Sequence, residues 1–205
     1  MSISSICYIG NRNSNSIILT RKTYRGYIDQ ITLMKKINPR YGRNDMLLEW
    51  NEQIKAHVMW IWGGEDRFMK RKREGMLVVT DRKLVFITKT NMSYRVHDVH
   101  SQRQLLRFKD KKDIFLPLEG YGITELRNDI EKSDQNMVFP FSEITDMDST
   151  EKRWGTELKI KADMNNKEKK YGFAIVKSWV KYPAKDPLQF HHVNWDPIIT
   201  LFKMS

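Results

Sequence analysis

The chain has 205 residues and a formal net charge of +11, since 36 lysines and arginines stand against 25 aspartates and glutamates. Hydrophobic residues make up 40% of the sequence and aromatic residues 11%, which excludes a wholly disordered chain and allows a packed domain. The single cysteine excludes an internal disulfide and a cysteine-only zinc site. The positive charge favours an anionic partner: nucleic acid, an acidic membrane or an acidic protein.

Residues 1–43 differ in composition from the rest of the chain. The first 42 residues hold seven basic side chains and one acid, and residues 11–16 contain only asparagine, serine and one arginine. Such a segment cannot bury enough apolar surface to order itself. We therefore predict a basic, flexible N-terminal arm, followed by a single domain at 44–205. A transit peptide, or an extension ahead of a later start at Met34 or Met46, fits the same composition.

Period-two alternation marks the first strand of the domain. Residues 54–62 place five apolar side chains on one face, as a half-buried strand requires: Ile54, Ala56, Val58, Trp60 and Trp62. The following Gly63 and Gly64 predict a turn. Residues 67–73 then predict a second strand, which we expect to be exposed because its charge is dense and its alternation weak.

Two hairpins are predicted from runs rich in β-branched and aromatic residues. Residues 75–80 and 83–88 flank a tight turn. Residues 156–162 and 170–176 form the second pair. Alternation in this second pair predicts that the apolar side chains face inward: Leu158, Ile160, Ala162, Tyr171, Phe173 and Ile175. It predicts that Glu157, Lys159 and Lys161 face solvent.

Residues 89–136 lie between the two hairpins and are polar, with few strand signals. A structureless loop of this length is uncommon, so we predict a partly helical insertion, with helices at 101–109 and 124–133. Residues 137–141 resume as a strand whose proline suggests an edge position. Asp196 is predicted to cap a last helix, with Pro197 at its first position.

The count of elements predicts the fold class. About seven strands followed by one C-terminal helix, without βαβ alternation, favour an antiparallel barrel or sandwich over a parallel sheet. We therefore expect a mainly β fold of the α+β type.

Several short motifs lie in the order that one known domain family uses. An acidic segment at 49–53 precedes the first strand, and the first hairpin has a G-x-L-x-x-T-x-x-R/K-L-x-F pattern. That pattern is carried by Gly75, Leu77, Thr80, Lys83, Leu84 and Phe86. Residues 141–144 then resemble a short following strand. Across roughly 46–204 the chain thus resembles a pleckstrin-homology-like (PH-like) domain of the GRAM or bacterial-PH type.

The resemblance implies a curved antiparallel barrel of two sheets, with one end capped by the last helix. Related domains bind anionic lipid headgroups, peptides or other proteins, and some are scaffolds only. Fold alone does not choose among these roles.

The densest basic cluster is the candidate site. It holds five cations in seven residues, able to bind phosphate oxygens: Arg67, Lys70, Arg71, Lys72 and Arg73. The family resemblance implies that Arg71, Lys72 and Arg73 form the basic element of a second strand and that Lys55 supplies a cation from the first strand. The alternative is a solvated edge strand whose charges prevent aggregation.

Nucleic acid is a rival partner for the same cluster. Trp60, Trp62, Phe68 and Tyr94 lie nearby in sequence and could stack on bases. Core packing competes for the two tryptophans, because they fall on the apolar face of their strand. No RRM, KH or zinc-finger signature supports nucleic-acid binding.

A secondary basic surface is predicted in the insertion. Its cations lie beside apolar residues at 105, 106 and 108, and they are Arg103, Arg107, Lys109, Lys111 and Lys112. A helix of this composition suits binding to a membrane surface or a partner, or packing on the barrel of its own domain.

Catalytic and metal-binding roles find little support. The histidines at 97, 100, 191 and 192 do not have the spacing of a metal-ligand set. Glu65 and Asp66 are candidates for acid–base chemistry, but acidic residues in a turn need no catalytic role. No nucleotide-binding or hydrolase motif is present in the sequence. We expect no enzyme, cofactor or metal.

The sequence therefore favours a non-enzymatic PH/GRAM-like module that binds an anionic membrane or an acidic protein. The alternatives are a nucleic-acid-associated protein without sequence specificity and a structural or regulatory domain without a small-molecule ligand. We expect a cytoplasmic location, with peripheral membrane attachment as an option, and no transmembrane segment.

Overall fold

A computed structural model describes residues 52–67, 70–164, 167–177 and 189–205. The predicted arm at 1–43 lies outside these residues. Seven strands and three helices follow in chain order: β1 (Ile54–Glu65), β2 (Arg73–Thr80), β3 (Lys83–Ile87), α1 (Tyr94–Lys109), α2 (Ile123–Lys132), β4 (Met137–Pro140), β5 (Ile144–Lys152), β6 (Gly155–Asp163), β7 (Glu168–Ile175) and α3 (Asp196–Met204).

All seven strands belong to one antiparallel sheet in the order β4-β3-β2-β1-β7-β6-β5. Strands β4 and β5 are its two edges, so the sheet is not closed. The prediction of a mainly β, antiparallel fold with about seven strands and a C-terminal helix is confirmed. The open, seven-stranded arrangement is consistent with a PH-like fold.

The alternation predicted for β1 is wrong in its second half. The register with β2 shifts between Val58 and Ile61, and Trp60 adopts a left-handed backbone with φ of 57°. This β-bulge inserts a residue and exchanges the two faces of the strand. Ile61, not Trp60, therefore joins Ala56 and Val58 in the main core.

The bulge leaves polar backbone groups that other elements satisfy. Met59 donates its backbone N–H to Gln104 Oε1 at 2.8 Å, and its carbonyl accepts from Gln104 Nε2 at 3.2 Å. The carbonyl of Trp60 accepts from the backbone of Val176 at 2.9 Å. Helix α1 and the end of β7 thus hold the irregular backbone in place.

The glycine pair at 63 and 64 continues β1 instead of turning it. Gly63 pairs with Arg73 and Phe173, and Gly64 pairs with Gly172. A Cβ on Gly63 would lie 2.1 Å from the Phe173 ring, so the missing side chain lets that ring fill the core. The separate second strand predicted at 67–73 is wrong, because β2 begins only at Arg73.

Both predicted hairpins are present, as β2–β3 and β6–β7. The inward side chains of the second hairpin lie in the main core, as predicted. Glu157 departs from the pattern: it was expected to face solvent, and it is buried. Two lysines, described below, compensate its charge.

The insertion between β3 and β4 forms α1 and α2, which confirms that it is partly helical. Ser93 caps α1, and Glu125 accepts the Gly122 N–H at 2.9 Å at the start of α2. A second apolar cluster joins the outer face of β1, β2 and β3 to α2, through residues such as Met59, Val78 and Leu126. The insertion therefore covers one face of the sheet near β1.

Helix α3 closes the main core on another side. Ile198 and Ile199 are buried, and Trp195, the residue before the helix, is fully buried. Asp196 is the first helical residue, not the cap that its sequence position predicted.

Candidate functional site

The basic cluster lies where β1 ends and β2 begins. Arg67 is the second residue after β1, and Arg73 is the first residue of β2. Two backbone hydrogen bonds shape the start of this loop, from Arg67 N–H to the Glu65 carbonyl and from Lys70 N–H to the Arg67 carbonyl, both at 3.0 Å. The structure thus keeps Arg67, Lys70, Arg71, Lys72 and Arg73 at one end of a strand pair.

The lysines of the cluster are neutralised by nearby acids. Lys70 pairs with Glu65 at 3.1 Å. Lys72 pairs with Asp66 at 2.8 Å and with Glu157, on β6, at 2.7 Å. Glu157 also pairs with Lys152 at 2.5 Å. The acids at 65 and 66, considered above as acid–base candidates, are thus ion-pair partners.

Gly172, which faces Gly64 on the neighbouring strand, makes room for the Lys72 side chain. Gly64 and Gly172 are cross-strand partners, so neither carries a side chain there. A Cβ on Gly172 would lie 2.7 Å from Lys72 Nζ and 2.4 Å from Glu157 Oε1. The ion pair between Lys72 and Glu157 therefore occupies the space over Gly172.

The pKa values of this network agree with its geometry. Burial alone would lower the pKa of Lys72, but hydrogen bonds to Asp66 and Glu157 and their negative charges outweigh it, and the pKa is raised. Burial would likewise raise the pKa of Glu157, but hydrogen bonds from Lys152 and Lys72 and their charges lower it. Lys72 and Glu157 therefore both stay ionised at neutral pH.

The arginines of the cluster stay exposed to solvent. Arg67, Arg71 and Arg73 are all exposed, and within the described part of the chain they form no ion pair. The cluster thus contains two kinds of cation, lysines engaged with carboxylates and arginines free to meet an external anion.

Lys55 does not join the cluster. It lies near the start of β1, where Ile54 pairs with Thr80, whereas Arg73 pairs with Gly63. Eight positions of strand separate Lys55 from Gly63, which corresponds to roughly 25 Å. Lys55 is exposed and donates to Gln53 Oε1 at 2.9 Å. The structure therefore does not bring it to the site that the sequence assigned.

The secondary basic surface is divided between α1 and the chain that follows it. Lys112 pairs with Asp110 at 3.0 Å, and Arg107 Nε donates to the Asp113 carbonyl. The other members, Arg103, Lys109 and Lys111, are exposed. Helix α1 packs on the sheet through its opposite face, where Gln104 bonds β1.

The aromatic residues considered for nucleic-acid stacking do not form one platform. Trp62 is buried in a small cluster with Ala174, Val176 and Phe190, and Trp60 is half-buried against it. Tyr94 is exposed but begins α1. Phe68 lies outside the described residues.

Among the residues that the structure describes, no group of three or more histidine, cysteine or acidic side chains could hold a metal ion. Burial, together with the nearby charges of Lys177 and His192, lowers the pKa of His191 to about 4. His191 stacks on Phe108 with ring centroids 4.0 Å apart, which is a packing role.

The family-like hairpin motif has a structural role. Thr80 Oγ1 donates to Glu52 Oε1 at 2.5 Å and accepts from the backbone N–H groups of Arg82 and Lys83. Lys83 Nζ lies 3.3 Å from Glu52 Oε2, and both residues are buried. These contacts fix the β2–β3 turn to the segment before β1, so the motif residues stabilise the fold.

A scan against protein-family models and a search of curated proteins each found no match to this chain. In the part of the chain that the structure describes, no helix is both long and apolar enough to cross a membrane.

Proposed function

We propose that the chain is a PH/GRAM-like, non-enzymatic module that docks on anionic membranes through the β1–β2 end of its sheet. The observation that carries the proposal is the exposure of Arg67, Arg71 and Arg73 beside lysines that are already paired. Guanidinium groups bind phosphate oxygens in a bidentate manner, and three lie within seven residues.

The local acids do not cancel this surface. Glu65 is engaged with Lys70, and Asp66 and Glu157 are engaged with Lys72. These ion pairs hold the loop between β1 and β2 in place, so the arginines extend from a fixed end of the strand pair. Each basic side chain near an acidic bilayer contributes about 1 kcal/mol, and three would give roughly 100-fold in partitioning.

Membrane lipid is favoured over nucleic acid by the aromatic residues. Trp62 is buried and Trp60 is half-buried, so neither of these two candidate rings offers a free face for base stacking beside the arginines. Headgroup phosphates require only the guanidinium groups, which are present.

Vesicle flotation of the full chain tests the proposal. We expect flotation with vesicles of phosphatidylcholine and phosphatidylserine, and none with phosphatidylcholine alone. Replacing Arg67, Arg71 and Arg73 together by Gln should reduce partitioning roughly 100-fold, because three phosphate contacts are lost.

The matched control removes three other exposed cations, by Arg95→Gln, Lys159→Gln and Lys203→Gln. It changes the net charge equally and should keep most of the binding. An equal loss in both triple variants would show that only net charge matters and would overturn the site. Binding to DNA, with no flotation on either kind of vesicle, would overturn the proposal and favour nucleic acid instead.

A further inference from the structure

A groove of about 580 Å³ lies between helix α1 and the loop at 110–119, apart from the basic cluster. Its volume is within the range of small-molecule sites. The loop wall is held by hydrogen bonds, because His57 N–H donates to the Leu116 carbonyl at 2.9 Å and Leu118 N–H donates to His57 Nδ1 at 2.8 Å. The groove is therefore largely pre-formed.

The lining of the groove is mostly apolar. Ile114, Leu116 and Pro117 line it from the loop, and Leu106 lines it from α1. Leu106 is 58% exposed, which is unusual for a leucine beside a hydrophobic wall. An apolar occupant would remove this surface from water.

Two arginines line the helix side of the same groove. Arg103 and Arg107 are four residues apart on α1, and like charges at this spacing repel each other. Arg103 forms no ion pair within the described residues, and Arg107 uses Nε for the Asp113 carbonyl, which leaves its terminal nitrogens for a ligand. The nearby Asp110 is neutralised by Lys112.

The remaining titratable groups of the groove do not supply a counter-ion. Burial lowers the pKa of His100, so its ring adds no charge at neutral pH. Glu119 is exposed on the loop wall and disfavours an anion there. Arg103 and Arg107 are therefore the groups of the groove that can bind a negatively charged headgroup.

We propose that this groove binds a free, single-chain anionic amphiphile. Its carboxylate or phosphate lies between Arg103 and Arg107, and its hydrocarbon chain covers Leu106, Ile114 and Leu116. This site is independent of the membrane-docking surface at Arg67, Arg71 and Arg73.

Calorimetric titration of the full chain with sodium laurate, below its micelle concentration, tests the proposal. We expect saturable binding of one laurate per chain. Acetate, which lacks the chain, and dodecyltrimethylammonium, which reverses the charge, should not bind. Arg103→Gln and Leu106→Gln should each weaken laurate binding about tenfold or more.

Arg95→Gln is the matched control, since Arg95 is exposed on the same helix and does not line the groove. It should bind laurate like the wild type, as should the triple Arg67, Arg71 and Arg73 variant. Absence of saturable laurate binding would overturn the proposal. Equal losses in Arg95→Gln and Arg103→Gln would overturn it too, as would an Arg103→Gln protein that binds laurate normally and loses only its binding to vesicles.

Discussion

The two halves of β1 lie beside the same kinds of charged residue in different surroundings. Near its start, Glu52 and Lys83 form a buried pair that joins the chain before β1 to the β2–β3 turn. Near its end, Asp66, Lys72 and Glu157 form a partly exposed network, with free arginines beside it. The difference teaches that a count of charges does not separate the cations engaged inside the fold from those that an external anion could reach.

The largest expected effect is at the buried half. Lys83→Met should lower the free energy of unfolding by about 4 kcal/mol, because the Glu52 carboxylate stays buried without its cation. Chemical denaturation measures this loss. The double variant Glu52→Leu with Lys83→Met should recover most of it, since no charge then remains buried. A loss below about 1 kcal/mol in the single variant would show that the two halves do not differ in this way.

A second effect on the same half concerns acid. His57 is fully buried between His100 and Tyr121, and its Nδ1 accepts the Leu118 N–H. Burial, with the nearby His100 charge, lowers the pKa of His57 to about 3. Below the ordinary value of 6.5 the unfolded chain therefore takes up a proton that the folded chain does not.

Stability should consequently fall as pH drops below 6.5. The contribution of His57 to this loss reaches about 3 kcal/mol near pH 4. Denaturation curves of the wild type and of His57→Asn, measured across this range, should converge in acid. The control Asn128→Ala changes an exposed helix residue that carries no titratable group, and it should run parallel to the wild type. Parallel curves for His57→Asn would refute the assignment.

The smallest effect is expected at the exposed half. Glu157→Gln should cost about 1.5 kcal/mol at neutral pH, because it weakens two charged hydrogen bonds that solvent partly screens. The pKa of Glu157 is lowered and that of Lys72 is raised. The stabilisation is therefore complete between the ordinary values of 4.5 and 10.5 and is lost as pH moves outside them.

Unfolding curves of Glu157→Gln and wild type should thus differ most at neutral pH and approach each other in acid and in alkali. Glu168→Gln, at an exposed carboxylate of β7, should leave stability unchanged. A cost at Glu157 as large as that at Lys83 would remove the contrast between the two halves.

The sequence predicted the hairpins because their information is local. The run at 75–80 is rich in apolar and β-branched residues and the run at 156–162 alternates, and both became strands of the sheet. The C-terminal helix and the helical insertion were predicted for similar reasons. The bulge at Trp60 could not be predicted, because a distant glutamine, Gln104, supplies the hydrogen bonds that support it.

The candidate site could likewise be predicted only in part from the sequence. The density of cations at 67–73 is visible in the sequence, but their pairing is not, since Glu157 lies 85 positions away from Lys72. The assignment of Lys55 failed geometrically because Gly63 and Gly64 extend β1 instead of ending it. No local pattern distinguishes a paired lysine from a free arginine.

The bulge at Trp60 also makes the length of β1 critical at this point. Deleting one residue there would restore regular alternation and turn Ile61 out of the main core. Every later residue of the strand, including Gly63 beside the Phe173 ring, would then face the wrong side. The strand therefore constrains the number of residues at this point as well as their side chains, because Trp60 itself packs against two apolar clusters.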